Sequence, residues 1–173
     1  IGSNVEFDAV YMNPAELVNY PLAKKASDII PVRDGNSIDL GGRRLEVIEI
    51  PGHTPGSIAT LDVERRVLFS GDTVQDGSIF LFGPMRNIPA FYHSLKRLAG
   101  MTGSFDRIYP SHGSFPVKKE LISRLVSQHC PLYTSHAAAS TPSLDLLAPL
   151  ALTNSTLMLS STSPTSSVRP IIL

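Results

Sequence analysis

The sequence predicts an α/β fold, on three observations. Short β-rich apolar runs (Leu45 to Ile50, Ile58 to Val63, Val67 to Phe69 and the pair Ile108-Tyr109) are cut apart by turn residues. Two stretches, Pro89 to Ala99 and Val117 to Val126, carry apolar residues at helical spacing. Strands and helices alternate along the chain, which is the pattern of a sheet with helices packed on it.

Taken in order, the opening zone from Ile1 to Asp34 predicts one short helix, capped by Asn13, with Pro14 at its first position and Pro21 at its end. Asp34-Gly35 and Gly41-Gly42 supply turn chemistry ahead of the first β run, and Asp62 to Arg66 reads as a hairpin turn of open type, since it lacks glycine. A Gly-rich, aromatic loop spans Asp76 to Pro84. In the next helix Phe91, Leu95 and Leu98 share a face before Gly100 and Gly103 stop it. The second helix turns Leu121, Ile122 and Leu125 inward and Lys118, Lys119 and Arg124 outward. Past His129 the composition changes to Ser, Thr, Pro, Ala and Leu, with Asp145 and Arg169 as its only formally charged residues. The expected organisation is therefore one domain over residues 1–128 and a tail over residues 129–173, expected to be disordered.

Composition narrows the function classes. The 173 residues are 42% hydrophobic and 17% charged, ordinary for a globular domain. Fifteen Lys plus Arg balance fifteen Asp plus Glu, so no net field draws the chain to nucleic acid, an anionic membrane or an acidic substrate. A single cysteine, Cys130, excludes an internal disulfide or a thiolate metal cluster, so metal ligands must be His and carboxylate. The first ten residues lack a signal-peptide pattern, and no apolar run is long enough to cross a bilayer; the expected location is cytoplasmic. A start at Ile1 rather than Met predicts that the chain is a piece of something longer.

Three segments carry the candidate chemistry: Pro51-Gly52-His53-Thr54-Pro55-Gly56-Ser57, then Phe69-Ser70-Gly71-Asp72-Thr73, then Tyr109-Pro110-Ser111-His112-Gly113. Each follows a β run and sets a His or Asp at the strand's end, beside Gly or Pro, where backbone can approach a metal and a substrate closely. Two imidazoles and a carboxylate suit zinc or a two-metal centre of borderline hardness. His93 on a helix, and His129 and His136 in or beside the tail, read as ordinary solvated or packed residues. Asp76 has the chemistry to support a ligating His by hydrogen bonding, and Phe80, Phe82, Met85, Arg86 and Asn87 lie on the loop after Asp72, where a substrate pocket or core packing would use them.

These three motifs, in this order, resemble the second half of the metallo-β-lactamase superfamily, most closely its glyoxalase II or hydroxyacylglutathione hydrolase-like members. The resemblance runs from Leu45 through His112 and is weaker before Arg44 and after His112. It implies an αββα sandwich, of which this chain supplies about half. It makes His53 a ligand of a first metal, Asp72 the bridging carboxylate and catalytic residue, and His112 a ligand of the second. The implied cofactor is zinc, two ions, with iron or manganese as alternatives. The implied reaction is attack of metal-bound hydroxide on the carbonyl of a small thioester, ester or amide. Such enzymes also carry an upstream His-x-His-x-Asp-His segment. Here His53 is the first histidine, so each metal keeps one His plus the shared Asp72, and weak metal binding and weak activity are expected. The alternative is a non-catalytic binding or scaffolding module with a degenerate metal site. Half a sandwich also predicts a bare apolar sheet face and self-association through it.

Overall fold

A computed structural model describes residues 7–20 and 28–139; for residues 130–139 only the backbone is described. Among the described residues the strands and α-helices follow in the order β1 (Ala9–Met12), β2 (Asp28–Pro31), β3 (Ser37–Asp39), β4 (Arg44–Glu49), β5 (Ile58–Asp62), β6 (Val67–Gly71), α1 (Ile88–Gly100), β7 (Arg107–Pro110), β8 (Val117–Lys118) and α2 (Glu120–Ala139). β1 and β2 form a small parallel pair. The remaining strands make one six-stranded sheet in the order β3-β4-β5-β6-β7-β8.

From β3 to β6 the sheet is an antiparallel meander, which needs only tight turns. At the β5–β6 turn, Asp62 Oδ1 accepts from the Arg65 amide at 3.0 Å, and Arg66 takes a positive φ of 55° without being glycine. That conformation is held by the guanidinium, whose Nε reaches Asp106 Oδ2 at 2.7 Å and whose Nη2 reaches the Gly103 carbonyl at 2.8 Å. β6 and β7 run parallel, and the long crossover this requires contains α1.

Alternation along the strands divides the core in two. Ile48, Ile50, Ala59, Leu61 and Leu68 face the helices and pack with Phe91, Leu95 and Leu98 of α1, Phe105, Ile108, and Leu121, Ile122 and Leu125 of α2. Phe91, Leu95, Leu98, Phe105, Ile108 and Ile122 are fully buried, each contributing about 1.5–3 kcal/mol by removal from water. On the opposite face Leu45, Val47 and Ile58 join Val32 and Ile38, with Tyr11 and Phe69 packed against them. The sheet face expected to be bare is thus buried at these positions, because β1 and the segment after β2 bring Tyr11 and Val32 onto it.

Other expectations are adjusted in detail. Asn13 does cap a helix, its side chain accepting from the Ala15 amide at 2.9 Å, but the helix is a 3-10 turn of six residues, Pro14–Asn19. Val117 is not helical: it pairs with Ile108 as the edge strand β8, so α2 begins at Glu120. α2 runs on to Ala139, past His129 where the tail was expected to start. Residues 140–173 lie outside the described residues, as do residues 1–6 and 21–27.

α1 is tied to the sheet edge by Arg97. Its guanidinium pairs with Asp34 at 2.7 Å and donates to the Glu49 carbonyl at 3.1 Å, while Asp34 Oδ1 accepts from the Glu49 amide at 2.8 Å. The hydrogen bond from Arg97 holds the Asp34 carboxyl below its ordinary value against the opposing effect of burial. A depressed folded-state pKa stabilises above the unfolded value and is lost as pH falls through the folded one. Asp34→Asn is therefore expected to cost about 1 kcal/mol or less at neutral pH, since the pair is largely exposed. The difference from the unaltered chain should vanish in acid, below about pH 4 and on through the depressed pKa, in urea melts followed over that range.

Candidate metal centre

The three motif loops leave the same end of the sheet. His53 follows β4, Asp72 follows β6 and His112 follows β7; the parallel run of β6 and β7, with Gly71 opposite Pro110, sets Asp72 and His112 side by side. The Ser111 amide donates to the Gly71 carbonyl at 3.0 Å, joining the two strand ends. Gly71 has a φ of 55°, which turns the chain sharply enough to present Asp72.

His53, Asp72 and His112, far apart in sequence, meet. His53 Nε2 lies 3.3 Å from Asp72 Oδ2, and His112 Nε2 lies 3.3 Å from Asp72 Oδ1. Each carboxylate oxygen faces a different imidazole. The His53 side chain is largely enclosed at 13% exposure, Asp72 is at 33% and His112 is open at 72%, so the cluster is approached from the His112 side. Asp72 Oδ1 is buried yet has no hydrogen-bond partner; the His112 contact is at ion-pair distance without hydrogen-bond alignment. His53 Nδ1 is likewise buried without a partner. The His53 ring, by donating to Asp72, holds the carboxyl below its ordinary value; burial opposes this, and the charges of His53 and His112 and a hydrogen bond from Ser111 reinforce it. Asp72 is a carboxylate at neutral pH.

The His53 loop is held from both flanks. The Asn87 amide, just ahead of α1, donates to the Gly52 carbonyl at 2.9 Å, and Ser94 Oγ donates to the Pro51 carbonyl at 2.7 Å. On the other flank Thr54 Oγ1 donates to Glu16 Oε2 at 2.6 Å, and the Gly56 amide donates to the same oxygen at 3.1 Å. The sequence contains no signal for Glu16. It falls within the predicted short helix, and its partner Thr54 is 38 residues away.

Asp76 supports the centre differently from the sequence expectation. Its Oδ1 accepts from the Ser114 amide at 3.0 Å and so braces the backbone of the His112 loop rather than an imidazole. That bond holds the Asp76 carboxyl below its ordinary value. Gly113, with a φ of 84°, is where the two loops touch, since a Cβ there would overlap Asp76 Oδ1.

His93 is exposed on α1, and His129 Nδ1 sits 2.9 Å from the Leu125 carbonyl, its ring packed against Phe91. The side chain of His136 lies outside the described residues. Phe80 and Phe82 are exposed and packed edge to face, Met85 is exposed, and Asn87 caps α1 by accepting from the Ala90 amide at 2.9 Å. Arg86 Nε is buried without a hydrogen-bond partner.

The donor types and the partnerless buried oxygen of Asp72 fit a pair of borderline cations bridged by one carboxylate. The number of donors is short: among the described residues no group of three or more His, Cys, Asp or Glu side chains closes on one point. Each ion would take two donors from this chain, against the three of an ordinary catalytic zinc site.

Residues 4–112 match the family model of the metallo-beta-lactamase superfamily. The chain is similar to the acyl-coenzyme A thioesterase MBLAC2 of Homo sapiens, 36% identical over 123 residues that make up 70% of this chain and 44% of that protein. It is also similar to a hydroxyacylglutathione hydrolase of Ectopseudomonas mendocina (strain ymp), 31% identical over 121 residues, 64% of this chain and 44% of the hydrolase. Among solved structures, TTHA1623 in a di-iron-bound form superposes with a TM-score of 0.55 at 30% identity, covering 67% of this chain and 62% of that one. The chain thus spans less than half the length of these two curated relatives.

Proposed function

Because this chain belongs to the metallo-beta-lactamase superfamily, we propose that it carries one side of a two-cation hydrolytic centre acting on a small thioester or ester. One observation carries this reading: the two oxygens of Asp72 address two different imidazoles, each at 3.3 Å, which is the arrangement a bridging carboxylate requires. His53 Nε2 with Asp72 Oδ2 would hold one ion, and His112 Nε2 with Asp72 Oδ1 the other. Zinc fits this donor set best, with iron and manganese as alternatives. When bound, such a pair supplies an acidified water and polarises a carbonyl.

The chain's own residues do the rest. Asp72, kept ionised by its neighbours, would neutralise cation charge between the histidines. Gly52 lets the His53 loop pack against Phe91, Gly113 lets the His112 loop touch Asp76, and the open side at His112 admits substrate. The thioester preference rests on the kinds of relative the chain matches.

The expected outcome of zinc titration, followed on the imidazole resonances, is that His53 and His112 both respond at modest affinity, and that thiol release from an acyl-CoA thioester by the chain alone is slow but zinc-dependent. Absence of any zinc response at either histidine would sink the reading. A second reading, a binding module with a degenerate site, is favoured by the shortage of donors; it predicts a zinc response with no zinc-dependent thiol release.

A further inference from the structure

We propose that Glu16, on the 3-10 turn Pro14–Asn19, is the positioning residue for His53. This rests on the metal-centre reading above and assigns to one carboxylate, distant in sequence, the job of fixing a ligand's orientation.

The hydrogen-bond network around Glu16 closes without a spare partner. Oε2 takes the Thr54 hydroxyl at 2.6 Å and the Gly56 amide at 3.1 Å, and Oε1 takes Asn19 Nδ2 at 3.0 Å. Since the Thr54 hydroxyl has one proton and gives it to Glu16, its 2.8 Å contact with Ser57 Oγ must be donated by Ser57. Ser57 Oγ in turn accepts from the Thr54 amide at 3.0 Å. Proton direction thus runs from Ser57 through Thr54 to the carboxylate, and charge-assisted bonds of this kind are the strong ones. The 2.6 Å separation is in the range of an O–H to carboxylate bond.

The turn that carries Glu16 is itself fixed at the base of the same loop. Asn13 Nδ2 donates to Glu49 Oε1 at 2.6 Å, at the last residue of β4, and the Asn13 side chain caps the turn. Gly56 permits the approach: a Cβ there would overlap the backbone nitrogen and Cα of Glu16. His53 is held on its other flank by the bond into Gly52 from Asn87. Removing Glu16 therefore leaves that side of the His53 loop held only by its own bonds, from the Gly52 amide to the Thr54 carbonyl at 3.0 Å and from the Thr54 amide to Ser57 Oγ at 3.0 Å, while the other flank stays clamped. The His53 ring has no hydrogen bond at Nδ1, so besides its Nε2 contact with Asp72 its aim is set by the backbone that carries it.

The test uses the full chain and three variants: Glu16→Ala, Glu16→Gln and Thr54→Val. Metal-free, NMR reads the χ1 averaging of His53 and the hydrogen exchange of the Gly56 amide; inorganic zinc is then titrated against the His53 and His112 resonances. Glu16→Ala is expected to average the His53 rotamer, to speed Gly56 exchange about tenfold, and to weaken the zinc response at His53 about tenfold or more. Glu16→Gln, whose amide oxygen accepts from both Thr54 and Gly56, is expected to restore all three. Thr54→Val keeps the turn intact and should reproduce the His53 effects, which keeps the test decisive even if Glu16→Ala does not fold. A single His53 rotamer in Glu16→Ala or in Thr54→Val overturns the proposal, as does a Gln variant no better than Ala. Loss of the zinc response in the unaltered chain would instead remove the metal-centre reading, and the metal-free rotamer measurement would still decide the role of Glu16.

Discussion

Asp72→Ala is expected to abolish the stabilisation of this chain by zinc. A ligand that binds only the folded state stabilises it by about 2.7 kcal/mol at a hundred times its dissociation constant. The unaltered chain should show that rise in thermal melts as zinc is added. His53 and His112 approach each other only through the two oxygens of Asp72, each at 3.3 Å. Without the carboxylate each imidazole is left as a single ligand on a separate loop, and one imidazole does not retain zinc against water. Asp72→Asn keeps the shape but turns one oxygen into a donor, which faces a histidine and repels a cation. At most one of the two imidazole resonances should then respond to zinc. An Asp72→Ala chain that kept the full zinc-dependent rise would show that cations bind elsewhere.

Gly52→Ala is expected to damage fold and centre together. Gly52 has a φ of 135°, a region that side chains rarely enter, and a Cβ built there would overlap the backbone nitrogen and Cα and the Cβ of Phe91. Backbone strain of that kind costs about 1–3 kcal/mol. Forcing α1 off the loop adds about 1–3 kcal/mol of overpacking, because Phe91 is fully buried at the centre of the helix-side core. A total of about 2–6 kcal/mol is a large share of the about 5–15 kcal/mol that ordinarily holds a domain together. Gly77→Ala is the control, since a Cβ there meets open space at no positive φ. Urea unfolding should place Gly52→Ala far below the control; equality of the two would contradict the account of this glycine.

Much of the fold was legible in the residues. The apolar runs at Leu45 to Ile50, Ile58 to Val63 and Val67 to Phe69 correspond to β4, β5 and β6 within a residue or two, and Phe91, Leu95 and Leu98 face the core as their spacing predicts. Buried alternation and helical periodicity are local signals, and here packing agreed with them. Where local and tertiary preferences diverged, the local reading erred. The stretch from Val117 has a helical pattern, yet Val117 is drawn into the sheet by pairing with Ile108. β1, β2 and β3 are short and carry too few residues to announce themselves, and they form because a neighbour or an adjacent turn fixes them.

The identities and order of the candidate ligands, His53, Asp72 and His112, and the glycines beside them were set by the sequence alone, because residue type and loop context are linear properties. Which oxygen of Asp72 faces which imidazole, the brace from Asp76 to the His112 loop and the reach of Glu16 across 38 positions to Thr54 were decided only by the tertiary structure. Such contacts depend on where β1, β4, β6 and β7 end in space, and hydrogen bonds between distant segments leave no periodicity in a chain for a reader to find.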